Sequence, residues 1–424
     1  MSSTAPPHLP QAPRIPEENA GLSVYVHFPW CLTKCPYCDF LSLEVGSGLD
    51  SSDRAREARD ALPHERYATA ILRELELRRD CLQSGPLQSI FIGGGTPSLW
   101  QPRSLQRVIQ GILSAFGAPS DLEITAEANP SSLDSEQISG FLEAGINRLS
   151  IGVQSLHEKR LAFLGRLHSP RQALEAVTMA LQSGMPRVSA DLIYGVEGQA
   201  PAEAVAEVTQ VAQLGVGHVS AYTLTIEPNT RFGELHRRGK LPLLEEASVA
   251  ESYAQVSEAL ETLGFEHYEI SNFARPGQRS LHNQAYWRGN DYLGLGVGAV
   301  GTVSRENGEL GRVRYKNPSS VGKYFSVIEA LRTGPFDFKE ADAHLEPIPG
   351  ETAISESLML GLRTRDGVDL SFEGERRGQN AWTSERKRAI ERLSNRGLLE
   401  VDGNRLRIPK AHWIVADRVI RDLI

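Results

Sequence analysis

From Leu22 onward, short apolar runs alternate with longer stretches whose apolar residues recur at helical spacing. Residues 23–27 (SVYVH), 89–92, 122–126, 148–152, 188–194 and 218–225 read as six strands. Between them, residues 66–82 carry Tyr67, Ile71, Leu75 and Leu82 at near-helical spacing, and 104–116, 135–144, 171–183, 202–214 and 246–263 complete a set of six helices. Asp134 stands where an N-cap belongs, and Gly184 and Gly215 stand where helices stop. Six strand–helix units in succession imply parallel strands joined by helical crossovers. An open doubly wound sheet and a complete or partial barrel both satisfy this α/β pattern, and no clean internal repeat separates them.

The pattern changes after Phe265. Residues 270–318, rich in Gly, Asn, Tyr and Arg, read as irregular loops with short strands. Helical spacing returns at 354–362 and 384–396, followed by a hairpin over 398–408 turning at Asp402-Gly403 and a closing helix over 412–423. This end piece reads as a small winged-helix-like unit. Residues 1–20, with prolines at 6, 7, 10, 13 and 16, read as a disordered or extended tail. The domain boundaries expected are thus 1–20, 21–265, 266–345 and 346–424.

Charge and composition narrow the function classes. The 45 basic and 53 acidic residues give a net charge of -8, which argues against a general nucleic-acid binder. No stretch approaches the ~18 uninterrupted apolar residues of a membrane helix. No basic start followed by an apolar core marks a signal peptide, so a cytoplasmic, reducing location is expected. There are four cysteines among 424 residues, too few for a disulfide scaffold, and three fall within eight residues.

Those three, Cys31, Cys35 and Cys38 (CLTKCPYC), form one tight loop after the first strand. Thiolates are soft ligands for iron–sulfur clusters, zinc or Cu(I). Three sulfurs can hold three corners of a [4Fe–4S] cube and leave one iron open to a small molecule. A zinc knuckle with His27 as fourth ligand is the alternative, weakened because no second ligand pair exists. Cys81 lies alone on the helix over 66–82 and reads as a packing residue.

The CxxxCxxC spacing resembles that of the radical S-adenosylmethionine (SAM) superfamily, and further segments extend the resemblance. They are 91–98 (FIGGGTPS), 127–130 (EANP), 152–155 (GVQS), 164–166 (LGR) and 191–195 (DLIYG). Each alone has an ordinary reading as a turn, cap or surface charge, although Asp191 inside an apolar strand is costly if unpaired. Together they fall at or near the C-terminal ends of successive strands, the edge where parallel α/β folds bind ligands. The resemblance implies an incomplete six-unit (β/α) barrel, with Cys31, Cys35 and Cys38 on the cluster. It implies SAM contacts from Tyr25, Gly94, Gly95, Thr96, Glu127, Gln154, Arg166 and Asp191.

Two details select a branch. Oxygen-independent coproporphyrinogen dehydrogenases carry a further cysteine two residues after the third, where this chain has Phe40. Residues 282–287 (HNQAYW) match the HNxxYW motif of the HemW-type heme chaperones, and 268–273 (YEISNF) and 292–296 (YLGLG) also resemble that family. Histidine is a common axial ligand of heme iron, and Tyr286 and Trp287 offer aromatic area for a porphyrin face. A loop histidine beside two packing aromatics is the plainer alternative. The resemblance implies heme carried at His282, Asn283, Tyr286 and Trp287 for delivery to recipient hemoproteins, respiratory enzymes of the membrane among them, with dimerisation a family trait. Two departures stand out: Ala299-Val300 replaces the family's Ala-His, and Val196-Glu197 replaces Leu-Pro. The competing function is a radical SAM oxidoreductase of the coproporphyrinogen III dehydrogenase type.

Overall fold

The computed structural model describes residues 21–45, 54–79, 85–304, 312–331 and 344–424. The proline-rich residues 1–20 and Cys81 lie outside the described residues.

The six expected strands form as β1 (Leu22–Phe28), β2 (Leu87–Gly94), β3 (Glu123–Ala128), β4 (Arg148–Gln154), β5 (Arg187–Tyr194) and β6 (His218–Thr223). All five neighbouring pairs in this run are parallel. The crossovers contain α1 (His64–Arg78), α2 (Pro102–Phe116), α3 (Ser135–Glu143), α4 (Pro170–Gln182) and α5 (Pro201–Gln213), and α6 (Glu246–Thr262) follows β6. Local chemistry sets their limits. The Asp134 carboxylate accepts from the Gln137 N–H at 2.7 Å, as its N-cap position implies. Ser169 and Gln172 close a reciprocal capping box on α4. The core is one continuous apolar cluster between sheet and helices, built on residues such as Val24, Val26, Ile90, Ile92, Leu149 and Ile151.

The segment after Phe265 is more regular than its composition implies. It supplies β7 (Glu266–Glu269), β8 (Asn272–Ala274), α7 (Leu281–Trp287), β9 (Tyr292–Leu295), β10 (Val300–Ser304) and β11 (Arg312–Lys316). After α8 (Val321–Ala330), β12 (His344–Ile348) completes a twelve-stranded sheet in the order β12-β11-β10-β9-β1-β2-β3-β4-β5-β6-β8-β7. The segment thus extends the barrel sheet at both ends, because the open edges of β1 and β6 offer unpaired backbone groups that short strands satisfy.

The end unit packs α9 (Gly350–Gly361), α10 (Leu370–Arg377) and α11 (Ser384–Asn395) around a small sheet of residues 368–369, 405–407 and 400–402. It has its own apolar core, including Leu358, Leu370, Leu393 and Trp413. The 412–423 helix is split, with a 3-10 turn over Lys410–Val415 and an α-helix over Ala416–Arg421.

Candidate functional site

The inward faces of the strands enclose a polar lumen. Its cavity, about 130 Å³, is lined from β2 to β6 by Phe91, Thr125, Glu127, Arg148, Ser150, Ser189, Asp191, His218, Ser220 and Tyr222, and from below by Ser280 and Asn283. Most of the wall residues escaped the sequence reading. Their signal was present as polar residues at every second position of otherwise apolar strands: 148 and 150, 189 and 191, then 218, 220 and 222.

At the mouth, the cysteine loop is tied to the ends of β1 and β2. The Gly95 N–H donates to Phe28 O (2.7 Å), Thr96 N–H to Trp30 O (2.8 Å), and the Thr96 hydroxyl to Cys31 Sγ (3.3 Å). A Cβ on Gly95 would stand 2.6 Å from Trp30 O, so this approach needs glycine. Gly94 adopts φ +109° with the His27 ring against it. The Arg166 guanidinium donates to Gly152 O (3.1 Å) and reaches Cys35 Sγ (3.5 Å). Gln154 is the only described non-glycine residue with positive φ (65°), at a register break between β4 and β5. Backbone strain of this kind clusters at functional sites, and bulges do so at sheet edges.

Two carboxylates face each other across the lumen. Glu127 accepts from Gly94 N–H at 3.0 Å, and Asp191 accepts from the Ser150 hydroxyl at 3.0 and 3.1 Å. Burial, then the neighbouring Asp191, pushes Glu127 up to about 7. Burial raises Asp191 to about 6 against the pull of Ser220, Ser150 and Arg166. The Tyr25 hydroxyl bonds His27 Nδ1 (2.9 Å), and its ring lies over Phe91 at 6.3 Å. Burial pushes the Cys31 thiol to about 11 and also raises Cys38.

The donor set fits a cluster better than a lone ion. Among the described residues, no three His, Cys, Asp or Glu side chains gather closely enough to hold a single metal ion. A cubane spreads its cysteine ligands over separate irons and does not ask three sulfurs to meet at one point. His27, the fourth ligand of the zinc alternative, has both ring nitrogens engaged, with Tyr25 and with Leu41 O at 2.8 Å.

The expected heme residues are not at the mouth. Helix α7, N-capped by the Ser280 hydroxyl, forms the barrel floor, with His282 only 1% exposed. Its imidazole stacks on Phe91 (4.8 Å) and meets Tyr286 edge-on (4.9 Å). Asn283 lines the cavity, Tyr286 packs on Tyr292, and Trp287 is half-buried at the end of the helix. The floor is held from below β3 and β4. Glu123 accepts from the Ser280 hydroxyl (3.4 Å) and the His282 N–H (3.2 Å), while Arg148 donates to Gln278 O and Arg279 O and pairs with Glu123 at 3.0 Å. Ser89 donates to Ser23 Oγ (2.9 Å), so its oxygen is left to accept from His282 Nδ1–H at 2.8 Å. That tautomer puts the lone pair on Nε2, which is buried and has no hydrogen-bond partner. Burial depresses the imidazole to about 3, so it stays neutral.

A partial parallel barrel with three thiols on its first strand-end loop and a glycine cradle on its second defines a radical SAM protein. The pattern of the Radical SAM superfamily matches residues 25–211, and that of the HemN C-terminal domain matches residues 348–414. The chain belongs to the HemW heme chaperone family. It is 34% identical to the heme chaperone HemW of Mycobacterium tuberculosis, covering 99% of this chain and 98% of that one. It is 36% identical to the heme chaperone HemW of Escherichia coli, covering 75% of this chain and 81% of that one. The coproporphyrinogen III oxidase HemN of Escherichia coli shares the fold, with a TM-score of 0.74 at 19% identity, over 96% of this chain and 90% of that one. Among the described residues, no helix is long and apolar enough to cross a membrane.

Proposed function

We propose that this chain carries heme to recipient hemoproteins, with a [4Fe–4S] cluster and SAM at the barrel mouth and the heme iron taken by His282. The observation that carries the heme assignment is the state of that imidazole: neutral, oriented through Nδ1 by Ser89, and with an unpartnered Nε2. These are the attributes of an axial ligand, whose second nitrogen is normally fixed by a hydrogen bond. Its burial means that α7 must shift to admit heme.

Cys31, Cys35 and Cys38 would hold the cluster, whose open iron supplies a coordination site and an electron for SAM when bound. The chain's own part is orientation. The Gly94–Gly95 turn holds Glu127 and the cysteine loop in place through its backbone N–H groups, Arg166 sets a fixed cation beside Cys35, and Glu127 and Asp191 face the lumen as polar anchors for hydroxyl or amine groups.

The test is anaerobic reconstitution followed by heme titration of wild type and His282→Ala. The expectation is roughly four iron and four sulfide per chain, and a weakened, shifted Soret band in the variant. Zinc without sulfide would remove the cluster, and an unchanged heme spectrum and affinity would reject His282 as ligand.

A further inference from the structure

Three arginines meet at the C-terminal end of α7. Arg376, on α10, donates to Arg288 O (3.3 Å), Gly289 O (3.4 Å) and Asn290 Oδ1 (3.4 Å). Arg377 donates to Gly289 O at 3.1 Å, and Arg312, from β11, donates to the same oxygen at 2.8 Å and to Asn290 O at 3.4 Å. Their side chains are only 10% (Arg312), 18% (Arg376) and 7% (Arg377) exposed. The nearest carboxylates stand off: Asp291 is 3.6 Å from Arg312, and Glu373 is 3.6 Å from both Arg376 and Arg377. Glu373 is in turn bonded by the Ser357 hydroxyl at 2.7 Å. The buried Nε atoms of Arg312 and Arg377 face Asp291 and Glu373 at that 3.6 Å, beyond hydrogen-bond length.

Capping a seven-residue helix asks for one cation near its last carbonyls. Three, sharing one carbonyl and facing two carboxylates at 3.6 Å, are more than packing requires. Burial, then the neighbouring Arg312 and Arg376, holds Arg377 down to about 10, so the group is short of negative charge. Guanidinium binds a carboxylate more strongly than a neutral carbonyl, and in a bidentate fork.

We propose that Arg312, Arg376 and Arg377 form a carboxylate-binding site that takes the propionates of the heme, an inference that rests on the reading of α7 as the heme-bearing helix. Engaging a propionate exchanges guanidinium–carbonyl bonds for charge-assisted ones. The cargo's own carboxylates thereby loosen the hold on residues 288–290 and free α7 to uncover His282.

The experiment titrates full-length, cluster-reconstituted protein anaerobically with iron protoporphyrin IX and with its dimethyl ester. Wild type should prefer the free acid by about tenfold or more, the scale of one charge-assisted pair. Arg376→Gln/Arg377→Gln should lose most of that preference, and Arg377→Lys should keep part of it. A double variant that keeps the full preference overturns the site, as does one that loses affinity for both ligands equally. His282→Ala forms a separate arm. It should alter the Soret band but keep the preference for the free acid, so failure of the ligand assignment and failure of the arginine site are told apart.

Discussion

The mouth and the floor of this barrel are built on opposite principles. The mouth is assembled from loops at strand ends and leaves its polar groups facing an open lumen. Its geometry is set by close backbone approach, at Gly95 against Trp30 O and at the strained Gln154. The floor is a helix sealed by buried charge, with Glu123 and Arg148 at its start and three arginines at its end. The mouth turns its polar groups to the lumen, whereas the floor buries an unpartnered nitrogen, His282 Nε2, and on the proposed heme reading it is the floor that moves. A chaperone that must release its cargo gains from this arrangement, because a site that opens and closes can bind reversibly.

The sharpest way to break the contrast is at Glu123. Its side chain is fully buried, and its loss strands the Arg148 charge, which is 2% exposed. Glu123→Ala should destabilise the protein by about 3–5 kcal/mol, the range for removing one partner of a buried pair. Thermal unfolding measures it. The double variant Glu123→Leu/Arg148→Met should recover much of the loss, since a matched apolar pair carries no desolvation penalty. If the double variant is no better than the single, the floor is held by packing rather than by charge.

The two regions also differ in how well the sequence announced them. The mouth was legible because close approach demands particular residues in particular order: thiols at CxxxCxxC, glycines after β2, and an acid at the end of β3. The parallel α/β order followed from six alternating strand–helix units, the choice of a barrel over an open sheet came from the family resemblance, and even the Asp134 cap was readable. The floor was not. HNQAYW is polar and aromatic without a long period, so it passed for loop, and a seven-residue helix is too short for helical spacing to show. That His282 faces inward depends on Ser23, Ser89 and Phe91, some two hundred residues away. The arginine cluster joins β11 to α10, so no local pattern could have shown it. Arg148 was read only as the start of a strand, although it lines the lumen and latches the floor.

At the mouth, Gly94→Ala probes pre-organisation directly. The residue sits at φ +109°, and an added Cβ would lie 2.4 Å from the His27 ring. The backbone cost is on the order of 1–3 kcal/mol, and displacing His27 disturbs its bond to Tyr25. SAM affinity, read by equilibrium dialysis, should fall by a larger factor than the folding constant. Equal losses would mean that the glycine serves the fold alone.

Acidity acts on Glu127 at the mouth and His282 in the floor with opposite signs. Glu127 holds its proton more tightly folded, near 7 against 4.5, so the folded chain binds more protons between those values. Stability of the cofactor-free protein should therefore fall as pH rises through that window. His282 does the reverse, near 3 against 6.5: the unfolded chain binds more protons, and stability is lost as pH drops below 6.5. His27, His168 and His267 add to the same acid limb. Denaturant midpoints measured from pH 4 to 8 should flatten in part on the neutral side in Glu127→Gln, where Asp191 and Glu269 are raised as well, and in part on the acid side in His282→Gln. If each variant flattens the other limb, the assignment of the two slopes is reversed.

Phe40 should give the smallest effect on stability and the clearest answer about chemistry. It is 56% exposed beside the cysteine loop, so Phe40→Cys should shift stability by no more than about 0.5 kcal/mol. The variant adds the thiol by which the resemblance sets the dehydrogenases apart, yet it leaves the floor sealed by Glu123 and Arg148. If the sealed floor keeps a tetrapyrrole from the lumen, coproporphyrinogen consumption under anaerobic, reducing conditions stays at background in the variant as in the wild type. Turnover in Phe40→Cys alone would move the distinction from the sealed floor to a single sulfur at the mouth. The floor would then be a door for substrate as well as for cargo.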